Sequence, residues 1–294
     1  MSVDSREQLA TRLLESSARR SYDPLIEIDW DAPLDPDRFW LPPQCSSLYG
    51  TPLWDGLSHR QRVELTKHEV ASSASAGIWF ETVLMQLLVR RYAHQDPTAR
   101  DAQYALTEVA DECRHSVMFG RLIERAGTPV YQPGWVEDRL AWATRSFARG
   151  VEMYSMILIA EEVLDRFQRE IMADDSLQPL IRMVSRVHVV EEARHVRYAR
   201  ALLADKVAGA DPVSLGWARL VLGRCALAVS NRLVHPSAYA AVGIDPKVGR
   251  AAARGNPNFG ATLRWSAEKA VAFFDELGLI KGAGAALWRR SGLI

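Results

Sequence analysis

From Ser58 onward the chain repeats apolar residues at three- and four-residue intervals over long stretches, with short polar interruptions. That period is helical; the period-two alternation and hairpin turns of strands are scarce. The pattern predicts helices over about 59–95, 99–126, 136–173, 177–207 and 213–234. Gly, Pro or clustered Asp punctuates each break: "HQDPT", "AGTPVYQP", "ADDS" and "AGADP". Ser58 and Gln61 have capping-box spacing, which predicts a helix start there. Residues 22–57 show no period and are rich in Pro, Asp and aromatics, so residues 1–57 read as an irregular N-terminal segment wrapped on a core. After "HPSAYAAVGIDP" a tail over 236–294 carries shorter helices, including "RWSAEKAVAFFDELGL". Long helices joined by short loops predict an all-α bundle. The 294 residues read as one domain, with residues 58–235 as its helical core.

Composition narrows the setting. Lys+Arg and Asp+Glu both total 36, so no basic excess points to nucleic acid. Cys45, Cys113 and Cys225 are odd in number and far apart, which argues against a disulfide framework or a cysteine zinc site. The N-terminus is charged throughout and lacks an apolar signal core. No apolar run was expected to reach the roughly 20 residues of a membrane span. These features predict a soluble cytoplasmic protein with no nucleic-acid or membrane partner.

Two Glu-x-x-His motifs stand out, Glu112/His115 and Glu192/His195, where composition alone yields about 0.4. Residues three apart share a helix face and can grip one ion together. Their placement says more. Glu81 lies 31 residues before Glu112 (112 − 81), and Glu161 lies 31 before Glu192 (192 − 161). The midpoint of each pair falls in a predicted turn. Each segment therefore climbs about 15 residues, roughly 22 Å, turns, and descends as far. Four helices bring Glu81, Glu112/His115, Glu161 and Glu192/His195 to one level. A Glu from each of two helices with Glu-x-x-His from the other two is a pattern of dimetal bundles. Four carboxylates neutralise two divalent ions, and imidazole suits iron. Glu81 and Glu161 sit in "GIWFETVLMQLL" and "YSMILIAEEVL", where an unpaired carboxylate would be costly. Solvated faces explain one such Glu, but poorly explain two at matched spacing. Glu162 faces elsewhere and reads as a surface or salt-bridge residue. His188, four before Glu192 and seven before His195, shares their stripe and joins the candidate ligands. The first half has Glu108 at the equivalent place, near the site rather than on the metal.

The set Glu81, Glu112/His115, Glu161 and His188-x-x-x-Glu192-x-x-His195 resembles the p-aminobenzoate N-oxygenase-like family of ferritin-like non-haem diiron oxygenases. The third histidine distinguishes that group from four-Glu, two-His relatives such as ribonucleotide reductase small subunits and acyl-carrier-protein desaturases. The C-terminal "RGNPNFGATLRWSAEKAVAFFDELGLI" is similar to the family's tail. The resemblance implies a ferritin-like bundle with a four-helix dimetal core holding two Fe ions. It further implies use of O2 and two electrons from an external donor, and N-oxygenation of an aryl amine or similar small substrate by a homodimer. His188 as a seventh ligand would make the two ions inequivalent.

Ligand histidines usually donate their second N–H to a carboxylate or carbonyl. Asp111 and Glu191 immediately precede ligand glutamates, and related bundles use that position to reach the histidine of the neighbouring helix. Asp111 is expected near His195 and Glu191 near His115, with surface salt bridges to Arg114 or Arg194 as the alternative. Tyr154 and Tyr198 lie on ligand faces as candidates to line a pocket. Gly77, four before Glu81, either leaves room for substrate or lets helices pack closely. The rival readings are a diiron hydroxylase or desaturase of another, possibly carrier-bound, substrate, a ferroxidase or iron-storage protein, and a Mn/Fe oxidase.

Overall fold

The computed structural model describes the backbone of residues 3–294, and side chains there except at positions 3, 136, 140 and 144. The described residues form α-helices, one short 3-10 turn at Pro43–Cys45 and no strand. The helices are α1 (Val3–Arg19), α2 (Pro24–Glu27), α3 (Pro52–Asp55), α4 (His59–Tyr92), α5 (Arg100–Ala126), α6 (Trp135–Phe147), α7 (Val151–Ala173), α8 (Pro179–Ala208), α9 (Pro212–Arg232), α10 (Ser237–Ala240), α11 (Pro246–Gly255), α12 (Pro257–Glu276) and α13 (Gly282–Ser291). The architecture is the all-α, ferritin-like bundle.

Helix α4 begins at a complete capping box: Gln61 N–H donates to Ser58 Oγ (3.3 Å) and Ser58 N–H donates to Gln61 Oε1 (3.0 Å). α4 packs on α5 and α7 on α8, while α5–α8 and α4–α7 contacts close the four-helix core. The connections are short, residues 93–99 and 174–178, and they contain the midpoints on which the spacing argument turned. Along these helices the core is layered. One apolar cluster includes Leu84 and Leu88 of α4, Tyr104 of α5, Leu158 of α7 and Leu202 of α8. A second includes Val70 and Ala74 of α4, Met118 and Leu122 of α5, and Ile181 and Val184 of α8. Between them lies a buried layer of Glu and His.

Three expectations need correction. The single helix over 136–173 is two, because Gly150 adopts φ 60° and ψ −122°, a conformation that side-chain-bearing residues rarely reach. Arg90 caps the freed end of α6 by donating to the carbonyls of Arg145, Ser146 and Ala148. The N-terminal segment is not irregular throughout: α1 packs on α5 and α8, and its Leu9, Ala10 and Leu13 enter the core. Finally, an 18-residue window within Pro212–Ala240 has a mean hydropathy of 1.3, and this stretch is long and apolar enough to cross a membrane by length and composition alone. In the fold its apolar residues divide. Ala218, Leu222, Ala226 and Val229 are in the core, whereas Val213 and Trp217 are exposed.

Candidate metal centre

Equal rise per residue on four antiparallel helices puts Glu81 (α4), Glu112 and His115 (α5), Glu161 (α7), and His188, Glu192 and His195 (α8) into the buried polar layer. The structure gathers them as Glu81, His115 and His188 on one side and Glu112, Glu161, Glu192 and His195 on the other. Within each group the ligand atoms lie within 4.8 Å of one another. Glu112 and Glu192 span the two groups. Glu112 turns Oε2 to His115 Nδ1 (3.3 Å) and Oε1 to His195 Nδ1 (2.9 Å). Glu192 turns Oε1 to His115 Nδ1 (3.2 Å) and His188 Nε2 (3.5 Å), and Oε2 to His195 Nδ1 (3.3 Å). Glu81 Oε1 stands 3.7 Å from His188 Nε2, and Ser116 Oγ–H donates to its Oε2 (2.7 Å).

Several of these atoms are close but misaligned for hydrogen bonding. Glu112 Oε1, both Glu192 oxygens and His195 Nδ1 are buried with no hydrogen-bond partner. Buried polar atoms are nearly always paired. Lone pairs converging without aligned hydrogens are what a cation would satisfy, and the donor set of carboxylate and imidazole fits iron.

The far nitrogens of the histidines are engaged. His115 Nε2 lies 2.9 Å from Glu191 Oε2, and His195 Nε2 lies 3.2 Å from Asp111 Oδ2. His188 Nδ1 lies 2.7 Å from Gln168 Oε1, so its N–H there donates to the amide oxygen and Nε2 faces the carboxylates. Such bonds fix ring orientation and tautomer. Glu191 and Arg194 are buried rather than on the surface. Arg194 Nη2 stands 3.3 Å from Asp111 and 3.7 Å from Glu191, and Arg114 also pairs with Asp111. The strand of chain after α1 closes this layer. Tyr22 N–H donates to Glu191 Oε1 (3.0 Å), Arg194 donates to the Arg20 carbonyl (3.0 Å), and Arg114 Nη2 donates to Ser21 Oγ (3.0 Å).

The crowded carboxylates and imidazoles shift one another's titration. Burial and the neighbouring carboxylates raise the Glu81 and Glu161 pKa values, Glu161 well above the usual range. Burial opposes charge on His115 and His195, but the surrounding carboxylates outweigh it and hold both well above an ordinary histidine. Burial and carboxylate repulsion push Glu112 and Glu192 upward, and the adjacent imidazolium groups outweigh them and hold both low.

A family model described as "P-aminobenzoate N-oxygenase AurF" matches residues 3–278. The chain belongs to the p-aminobenzoate N-oxygenase AurF family. Relatives in Mycobacterium bovis and Mycobacterium tuberculosis, described only as uncharacterized proteins, are each 29% identical over 240 residues. The match covers 78% of this chain and 69% of theirs. Membership in the AurF family supports diiron oxygenase chemistry, and this chain carries buried carboxylate and histidine groups able to hold the metals.

The remaining candidates fall elsewhere. Tyr154 and Tyr198 do not reach the ligand layer. Their hydroxyls meet Tyr92 at 3.4 and 2.9 Å, and Tyr198 donates to Asp101. One turn past His195 the face of α8 has already entered the apolar cluster. Glu162 accepts two bonds from Arg200 (2.5 and 2.6 Å). Glu108 is buried beside His195, and burial pushes its carboxyl up to about 8. A Cβ on Gly77 would stand 3.3 Å from Phe119, whose ring packs 4.9 Å from His188, so Gly77 serves close packing. Gln168 was missed. It lies seven residues after Glu161, on the same face of α7, and that spacing could have marked it.

A narrow cavity of about 70 Å³ adjoins the layer. Its walls start one to two turns from the ligands on all four helices: Ala74 on α4, Phe119 on α5, Leu164 and Gln168 on α7, Val184 on α8. Leu41, Cys45 and Phe259, from outside the bundle, close its far end.

Proposed function

We propose that this protein is a non-haem diiron oxygenase that N-oxygenates an aryl amine or a similar small molecule. The observation that carries the reading is the pair of buried ligand groups spanned by Glu112 and Glu192, with His195 Nδ1 and carboxylate oxygens of Glu112 and Glu192 left unpaired. Glu81, His115 and His188 would hold one iron, and Glu112, Glu161, Glu192 and His195 the other. Bound iron supplies O2 activation. The protein's own residues do the rest. Asp111, Glu191 and Gln168 hold the three imidazoles, the two apolar clusters exclude water, and the cavity presents substrate at the Phe119–Gln168 end. The overall reaction balances as one oxygen atom entering the substrate N–H bond and the other leaving as water, with two electrons from an external donor and two protons. On this reading the enzyme works in the cytoplasm as a homodimer on a soluble small molecule.

The test is metal content and O2 turnover. The purified protein should hold two irons per chain, and, with a reductant, consume O2 in the presence of aryl amines to give hydroxylamine or nitro products. Glu112→Ala should lose iron and turnover together. Protein expressed with iron available that carries no metal, or a single zinc, would overturn the reading.

A further inference from the structure

The cavity wall holds one ionisable carboxylate, Glu69 on α4, three helical turns from Glu81 at the end remote from the metal layer. It is 2% exposed. Its Oε1 accepts both the Ser47 N–H (2.9 Å) and the Ser47 hydroxyl (2.5 Å), and Ser47 Oγ also meets the Tyr239 hydroxyl (3.0 Å). Its Oε2 has no hydrogen-bond partner. A carboxylate kept only to tie α4 to the N-terminal segment would be expected to use both oxygens, since an unsatisfied buried acceptor costs about 1–3 kcal/mol. Among the described residues lining the cavity there is no Arg, Lys or His. The other lining polar groups, Ser73, Gln168, Ser185 and Cys45, carry no charge to offset an anion, and Ser73 already donates to the Leu233 carbonyl (2.9 Å).

We propose that this cavity is the substrate chamber, and that Glu69 Oε2 selects an apolar molecule whose far end carries a hydrogen-bond donor and no negative charge. The inference rests on the oxygenase reading and narrows its substrate class. The reacting nitrogen lies at the Phe119–Gln168 end, and a hydroxyl, amide or second amino group bonds Glu69. A benzoate-type substrate is disfavoured, because its carboxylate would face Glu69 in a water-poor cavity without a cation. At about 70 Å³ the cavity is below the usual span of small-molecule pockets, roughly 300–1,000 Å³, so a ring-sized ligand enters by displacing the apolar side chains of its wall. The electrostatics support the selection. Burial pushes the Glu69 carboxyl up to about 7, against hydrogen bonding from Ser47, so a donor is accepted and a second anion opposed. Cys45 on the same wall is pushed up to about 12 by burial, with Glu170 and Glu69 adding to the rise.

The experiment is calorimetric binding to the iron-loaded protein without O2, using two probes with the same ring and amine: 4-aminobenzyl alcohol and 4-aminobenzoate. The native protein should bind the alcohol at least about tenfold more tightly, the worth of one charge-assisted hydrogen bond. Glu69→Gln should weaken the alcohol about tenfold and strengthen the benzoate, bringing their affinities together. Ala74→Phe, which fills the cavity, should abolish binding of both while helicity and iron content stay native. Equal or tighter binding of the benzoate by the native protein overturns the proposal, as does native affinity for the alcohol in Ala74→Phe or binding of neither probe. Iron content, measured on the same samples, reports separately on the oxygenase reading: two irons with the wrong probe order sinks the selection by Glu69 and leaves the diiron centre standing.

Discussion

At the scale of single residues, the centre is defined as much by what holds the histidines as by the histidines. Each ring offers one nitrogen to the carboxylate cluster and ties down the other, to Glu191, Asp111 or Gln168. Asp111 also accepts from Arg194 and Arg114, so it joins α5 to α8 and carries two positive charges on its outer edge. Removing it frees the His195 ring and leaves Arg194 with Glu191 and the Arg20 carbonyl. Asp111→Ala should therefore lower metal affinity by about 10–100-fold, the usual cost of losing such a partner, with the fold retained. Competition against a chelator measures this, and native affinity would show that Asp111 does not orient His195. Asp111 and Glu191 were legible because each adjoins a ligand glutamate in sequence. Gln168 was harder, since its role depends on how α7 is rotated against α8.

At the scale of elements, spacing along a helix translates directly into height, which is why matched intervals of 31 residues placed four chain segments in register. Breaks that depend on one backbone conformation were less legible. The run over 136–173 has helical periodicity on both sides of Gly150, and nothing in that periodicity marks a positive φ. Gly150 has no atom within 4 Å of an added Cβ, so its requirement is conformational, not steric. Gly150→Ala should destabilise the protein by about 1–3 kcal/mol, the cost of holding a side-chain-bearing residue in such a region. Denaturant unfolding would read this as a lower midpoint at unchanged slope; an unchanged midpoint would mean that α6 and α7 can fuse or shift without penalty.

At the scale of the whole molecule, burial and the surrounding carboxylates strengthen the hold of Glu81 and Glu161 on protons, and the carboxylates outweigh burial to do the same for His115 and His195. Metal must displace those protons. Metal loading near neutral pH should release protons and tighten as pH rises. The sign follows because the metal-free state binds more protons than the loaded one. Calorimetry of metal uptake in buffers of different ionisation enthalpy would show it, and heats independent of buffer would contradict it. The same linkage sets stability. Metal at about a thousand times its Kd adds about 4 kcal/mol, which a chelator should remove. Glu161→Gln, an amide in place of a carboxyl that burial holds well above its usual range, should melt close to the chelated native protein and gain less from added metal.

The sequence alone determined the all-α class, the level at which seven Glu and His residues meet, and the family to which they belong. The reason is that helical rise per residue is constant, so linear spacing carries height. What only the tertiary structure decided is lateral. Packing of α7 against α8 brought Gln168 to His188 and turned Tyr154 and Tyr198 toward Tyr92 and Asp101. Folding of the N-terminal segment brought Tyr22 to Glu191 and Ser47 to Glu69, contacts spanning 169 and 22 residues. Such contacts form where separate elements happen to converge, and no local period encodes them. The cavity belongs to the same class of facts: its walls come from four helices and three outer segments, and its one buried carboxylate is identified by the partner it lacks.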